Sequence, residues 1–227
     1  MHQSAMANAS LFFGTYVSEG EGKLIVEIGS QDVNGSIRQV SPSGAKYIGV
    51  DFVQGKGVDI ILDDPYVLPF QDGSVDVCLS SSVFEHSEMF WLLFLEILRI
   101  LKPDGLFYVN TPSNGNFHRY PVDCWRFYPD SGKAMISWAR RNAFSPVMLE
   151  SFVSVQAGDI WNDFVAVYVK DDTFSGKYPS RIVNTKKDFI NGFSFGSDEI
   201  LNHTPFSEDQ KKMLVIKNII DNTIKVL

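Results

Sequence analysis

Five short apolar runs between Lys23 and Pro112 decide what this chain can fold into. They read KLIVEIG, AKYIGVD, GVDIIL, SVDVCLSSS and GLFYVNTP. Each is bounded by turn residues and is too short to make a helix of its own, so each is read as a strand. After the first, NGSIRQV begins a short helix. Ser87 to Leu101 predicts a long one, apolar nearly all round and therefore buried, stopped at Lys102-Pro103-Asp104-Gly105. Apolar strands alternating with helices predict an α/β, Rossmann-like doubly wound sheet with helices on both faces. A further helix is expected at about Ser131 to Arg141. PVMLESFVSVQA and DFVAVYVK then read as an antiparallel C-terminal hairpin. The expected sheet has about seven strands and is mostly parallel, with the first and fourth side by side at its switch point.

The 227 residues suit one domain with a proper core. The pattern weakens beyond Lys170. Residues 171–227 are read as a C-terminal extension, a lid or an assembly segment through which a homodimer would form, ending in a helix from Ser207 to near Lys225. The net charge of −7 gives no general attraction for nucleic acid or anionic lipid, so neither is expected as a partner. The longest apolar stretch, from Met89, is interrupted by Glu96 and Arg99 and is too short to span a bilayer, and the residues before it are not expected to act as a secretory signal. Two cysteines make no disulfide framework and fit a cytoplasmic location. No ligand cluster has zinc spacing, so no metal is expected.

The segment LIVEIGSQDVNGSIR runs from a strand into a glycine-bearing loop, with Glu27 near the strand's end. Gly29 lets a ligand approach the backbone, and Gly35 opens the next element without a side chain in the way. Asp51 closes the second strand, where a carboxylate accepts hydrogen bonds from ribose hydroxyls. A dinucleotide would ask for G-x-G-x-x-G and a bare helix start. This chain has Gln31 at the second glycine position, and Asp32 would repel phosphate. A cationic ligand without phosphate fits better, and S-adenosylmethionine is one.

These motifs, taken in order, resemble those of class I S-adenosylmethionine-dependent methyltransferases of the methyltransferase-11 type. VEIGS is similar to the family's first motif and YIGVD to its second. DDPYVLPFQDGSVDVCLSSSVFEH is similar to the lead into the fourth strand, and LRILKPDGLFYVNTPS to the fifth strand and its approach. The resemblance covers about ninety residues, Leu24 to Pro112. It implies that residues 1–170 form an S-adenosylmethionine-binding methyltransferase domain. Glu27, Gly29 and Ser30 would belong to the loop at the methionine end. Asp51 would hold the ribose hydroxyls, with Phe52 beside the adenine. Asp64 would receive the adenine amino group, and Leu62 or Asp63 would flank the ring. Ser80 to Ser82 would lie near the methionyl end. The loop departs from the family's tight G-x-G-x-G at Gln31 and is about two residues longer.

HRYPVDCWRFYP, after the fifth strand, is similar to a pattern in methyltransferases of bacterial surface-sugar and natural-product pathways. His118, Arg119 and Tyr120 are expected at the acceptor. Asp123 and Arg126 are candidates for the same surface or partners of each other within the loop. Trp125, Phe127 and Tyr128 are read as packing. Glu85 and His86 follow the fourth strand and read equally as site or as helix cap. The expected reaction is methyl transfer to an oxygen or nitrogen of a sugar or small polar metabolite. His118 is the first choice of base and His86 the second. The alternatives are a nucleotide-dependent oxidoreductase of the NAD type and a catalytically silent binding subunit of the same fold.

Overall fold

The computed structural model describes residues 2–158 and 160–221. Eight strands form one sheet in the order β3-β2-β1-β4-β5-β7-β6-β8. The parallel part comprises β1 (Leu24–Ile28), β2 (Lys46–Asp51), β3 (Ile60–Ile61), β4 (Val75–Ser81) and β5 (Leu101–Pro112). Strand β1 pairs parallel with both β2 and β4, which places the switch point where it was expected. Glu27 lies opposite Gly49, two residues before Asp51, so the two acids share the carboxyl end of the sheet. The hairpin β6 (Val147–Ser154) and β7 (Asp163–Val169) joins antiparallel through β7 on β5.

The central strands feed two apolar layers by alternation. Val26, Cys78, Phe107 and Val109 meet helices α2 (Phe90–Ile100) and α3 (Ser131–Arg141) on one face. Ile25, Leu79, Leu106 and Tyr108 meet α1 (Gln3–Tyr16) on the other. The sequence pattern does not announce α1. Its inward side is built from Ala5, Ala9, Phe12 and Phe13 mixed with buried Ser4 and Asn8. Its apolar stripe is therefore interrupted by polar groups that find partners in the sheet: Ser4 Oγ donates to Asp163 at 2.6 Å and Asn8 Nδ2 to Asn110 at 3.1 Å.

Four expectations change. The eighth strand, β8 (Phe189–Ser194), lies in the extension and pairs antiparallel with β6. Asn191, at φ +50°, and Gly192 interrupt its apolar alternation, which is why it reads as turns. The helix after β1 shrinks to a 3-10 turn at Ile37–Val40, capped by Ser36. Helix α2 starts at Phe90 and is buried along a stripe of Leu93, Phe94, Ile97 and Leu98 rather than all round. Its other side holds Glu96 and Arg99, paired at 2.7 Å, with Glu96 also accepting from the Leu68 amide. Tyr128 is 67% exposed rather than packed. Helix α4 (Glu208–Ile220) follows a capping box at Ser207 and Gln210. The stretch expected to continue it to Lys225 lies beyond the described residues.

The extension is bound to the sheet by a buried acid. Glu150 on β6 accepts hydrogen bonds from Tyr16 Oη (2.6 Å) and from the amides of Ile182 (2.7 Å) and Val183 (2.9 Å). One carboxylate thus joins α1, β6 and the segment after β7. No helix among the described residues is long and apolar enough to cross a membrane.

Candidate active site at the switch point

A cavity of about 470 Å³ opens at the carboxyl ends of β1, β2 and β4. That volume suits a small-molecule ligand. Its floor is the loop after β1. Gly29 has φ +73°, and a Cβ there would meet Val83 Cγ2 at 2.1 Å, so only glycine fits. The amides of Gly29 and Ser30 donate to the Val50 carbonyl at 2.9 and 3.2 Å, tying the loop to β2. Asp32, expected to repel phosphate, is committed to its surroundings: it accepts from the Gly35 amide at 2.8 Å and pairs with Lys56 at 2.6 Å.

Asp51 lines the cavity and is 8% exposed. Its two oxygens accept from the amides of Gln31 (3.3 Å) and Val53 (3.2 Å), which fixes the carboxylate while leaving lone pairs for a ligand. Phe52 also lines the cavity, half exposed. Glu27 stands just behind the wall, 2% exposed, and accepts from Tyr47 Oη at 2.8 Å. Burial pushes its carboxyl up to about 7.

Other expected residues point elsewhere. Ser30 packs toward β2, where a Cβ on Gly49 would meet its Oγ at 2.5 Å. Asp63 and Asp64 are exposed and do not line the cavity; Asp64 accepts from the Tyr66 amide at 2.8 Å instead. The apolar wall beside Phe52 comes from Leu62, Pro65 and Tyr66, and the sequence pattern marks neither of the last two. Ser80 is fully buried outside the cavity lining, whereas Ser81 and Ser82 border it. His2, which precedes α1, also reaches the cavity, and its ring lies 5.4 Å from that of Trp161.

The loop after β5 forms the opposite wall with His118, Arg119 and Tyr120. Tyr120 Oη donates to Gln31 Oε1 at 2.7 Å, so the two loops close over one side. Asp123 and Arg126 sit behind this wall and pair with each other at 2.5 Å. Asp123 also accepts from the His118 amide at 2.7 Å, and Arg126 holds its carboxyl down to about 2. The aromatic clasp forms at Phe127, buried against Phe84, Phe90 and Phe164, and at Trp125, which donates to the Ser87 carbonyl at 2.9 Å.

His86 lines the cavity and Glu85 lies behind it, 1% exposed. Glu85 accepts from Thr111 Oγ1 at 2.8 Å, and its backbone carbonyl accepts the amides of Cys124 and Trp125. Burial raises its carboxyl to about 8 and lowers the His86 imidazole. The His86 and His118 rings meet edge to face at 4.9 Å.

The donor set fits S-adenosylmethionine. Asp51 could supply an acceptor for a diol, and Phe52 and Leu62 an apolar slot for a ring. The Oγ atoms of Ser81 and Ser87, on residues lining the cavity, are buried without a partner among the described residues. Such hydroxyls are costly unless a ligand or water meets them.

Residues 32–109 match the Methyltransferase domain family. An uncharacterized methyltransferase of Mycobacterium sp. (strain KMS) is 42% identical over 69 residues, which cover 30% of this chain and 24% of that protein. Another, from Mycobacterium leprae, is 31% identical over 118 residues, covering 42% and 39%. The matches thus span well under half the length of these relatives. The fold is similar to that of Burkholderia thailandensis 1,6-didemethyltoxoflavin-N1-methyltransferase, solved with 1,6-didemethyltoxoflavin and S-adenosylhomocysteine. The TM-score is 0.57 at 16% identity over 75% of this chain and 80% of that one.

Proposed function

We propose that this chain, which carries the fold and the matched segment of a class I S-adenosylmethionine-dependent methyltransferase, transfers a methyl group to an oxygen or nitrogen of a sugar or other small polar metabolite. The reading rests on one observation. The cavity at the β1/β4 switch point has Asp51 and Phe52 on one wall and two imidazoles, Arg119 and Tyr120 on the other. A cofactor pocket and a polar acceptor wall therefore share one cavity.

S-adenosylmethionine supplies a methyl group made electrophilic by its sulfonium. Asp51 would hold the ribose diol, with Phe52, Leu62 and Tyr66 around the base. Gly29 leaves the loop low enough for the methionyl end, and Ser81 offers it a hydroxyl. Glu27, behind the loop, would bias the site toward a cation. Tyr120, bridged to Gln31, would help exclude water, which strengthens every polar contact inside. His86 and His118 face the acceptor, whose proton must leave if it is a hydroxyl. Alignment of the acceptor with the methyl is the larger part of the task. Assembly through the extension is supported by the exposure of Met213, Val215 and Ile220 on α4, and sedimentation as a monomer would remove that part.

Titration with S-adenosylhomocysteine tests the reading directly. The wild type should bind it and leave NAD unbound. Asp51→Ala should weaken binding by about 1–3 kcal/mol, the scale of lost charge-assisted hydrogen bonds. Binding of NAD without S-adenosylhomocysteine would overturn the reading in favour of an oxidoreductase. Binding without methyl transfer to a panel of sugar and amine acceptors would point to a silent subunit.

A further inference from the structure

We propose that Glu85, His86 and His118 hold a divalent transition-metal cation at the acceptor wall of the cavity. One donor atom from each lies within 4.8 Å of the others. In sequence the first two are adjacent and the third is 32 residues on, so no ligand spacing is visible there. The fold gathers them because the backbone carbonyl of Glu85 accepts the amides of Cys124 and Trp125, at 2.7 and 3.2 Å. That contact pins the His118 loop against the end of β4.

Both imidazoles are prepared as ligands. His86 Nδ1 lies 2.5 Å from the Val122 carbonyl oxygen, which can only accept. Nδ1 therefore carries the proton, and Nε2 presents its lone pair 3.8 Å from Glu85 Oε1. His118 Nδ1 faces two acceptors, Asn116 O at 3.2 Å and Asp123 Oδ2 at 3.5 Å. Arg126 Nη2 is also near, at 3.4 Å, but it donates at shorter range to those same oxygens, 2.7 and 2.9 Å. The His118 tautomer thus also leaves Nε2 free. A carbonyl or carboxylate behind Nδ1 is the usual support of a metal-bound histidine. Glu85 completes the set with a buried carboxylate whose second oxygen is held by Thr111.

Bonds of about 2.1 Å require the donors to draw closer than they stand. The His118 side chain, 34% exposed on a loop, is the one that must supply that movement. Two nitrogens and one oxygen favour Zn²⁺, Fe²⁺ or Co²⁺ over Mg²⁺ or Ca²⁺. Three protein ligands leave a position open toward the cavity that His86 and His118 line. Taken with the methyl-transfer reading, on which this role rests, that position would receive the acceptor's hydroxyl. The cation makes the hydroxyl more acidic. Its proton leaves to solvent, its oxygen takes the methyl, and the sulfonium is quenched to a thioether.

The test uses the whole chain, stripped with a chelator and dialysed, in a Cys124→Ser background because that thiol is exposed and free. Co²⁺ is titrated by visible absorption and Zn²⁺ by calorimetry. One ion per chain is expected. Glu85→Gln, His86→Ala and His118→Ala should each weaken it at least tenfold with unchanged far-ultraviolet dichroism. Asp123→Asn, behind His118, should weaken it by roughly tenfold or more. No stoichiometric binding in the parent protein overturns the proposal, as does undiminished binding in His118→Ala, the loop variant least exposed to folding failure. S-adenosylhomocysteine is titrated into the same samples without metal. Its binding alone leaves the methyltransferase reading standing without the metal site, and metal binding alone does the reverse.

Discussion

Glu27 carries a cost that can be measured. Its carboxyl is 2% exposed at the end of β1, and burial is the main reason that it rises from 4.5 to about 7. The hydrogen bond from Tyr47 and the charge of Arg38 pull it down, and Asp32 and Asp51 push it up. Between pH 4.5 and 7 the unfolded chain has lost this proton while the folded chain keeps it. The folded state then binds more protons, so stability falls as pH rises through this window and the penalty is complete above about 7. Moving from 4.5 to about 7 corresponds to about 3 kcal/mol. Glu27→Gln keeps an acceptor for Tyr47 and removes the titration. In the ligand-free protein it should therefore differ little from wild type near pH 4.5 and be more stable above pH 7. For a chain of this size the gain in Tm there is roughly 5–10 °C. Differential scanning calorimetry of both proteins from pH 4.5 to 8.5 measures it. Glu85 and Glu150 titrate in both, so the difference isolates Glu27. A Tm difference independent of pH, or one that favours wild type at high pH, would refute the reasoning. A residue that destabilises its own fold at neutral pH is a candidate for function.

Gly29→Ala should cost about 2–4 kcal/mol in urea unfolding, since it combines a positive φ with overpacking. Adding Val83→Ala should recover part of that loss by removing the atom that a Cβ would meet at 2.1 Å. Tyr120→Phe removes the hydroxyl that joins the two loops. It should raise the Kd for S-adenosylhomocysteine by roughly threefold to tenfold, as one hydrogen bond allows, with thermal stability unchanged. Glu150→Ala strands two buried amides and the Tyr16 hydroxyl. It should cost about 3–5 kcal/mol by chemical denaturation, against about 1 for Tyr16→Phe.

Local chemistry decided the strands and the position of Asp51, and these are legible in one dimension. An apolar run of five or six residues between turn formers has few other solutions. The carboxyl end of a strand is marked by where that run stops, so the order of residues alone assigns Glu27 and Asp51 to one end of the parallel strands. Gly29 was legible as a close approach, although what approaches is Val83 on a neighbouring loop. The clasp at Phe127 followed from size alone. Tertiary structure decided what depends on pairing across the chain. Helix α1 packs on the sheet through Phe12 and Phe13, and its buried Ser4 and Asn8 are accommodated because Asp163 and Asn110, more than a hundred residues away, meet them. Strand β8 exists because β6 offers an edge to a segment whose own alternation is broken. Asp64 had the right residue type for an adenine, but the backbone turned it to solvent and gave the wall to Pro65 and Tyr66. Glu85, His86 and His118 were each legible as site candidates, the two histidines as candidate bases, but nothing in the order of residues joins them into one cluster. The amides of Cys124 and Trp125 on the Glu85 carbonyl, together with the Val122 carbonyl on His86, bring the three side chains to one place, and such contacts between distant segments leave no periodic mark in sequence.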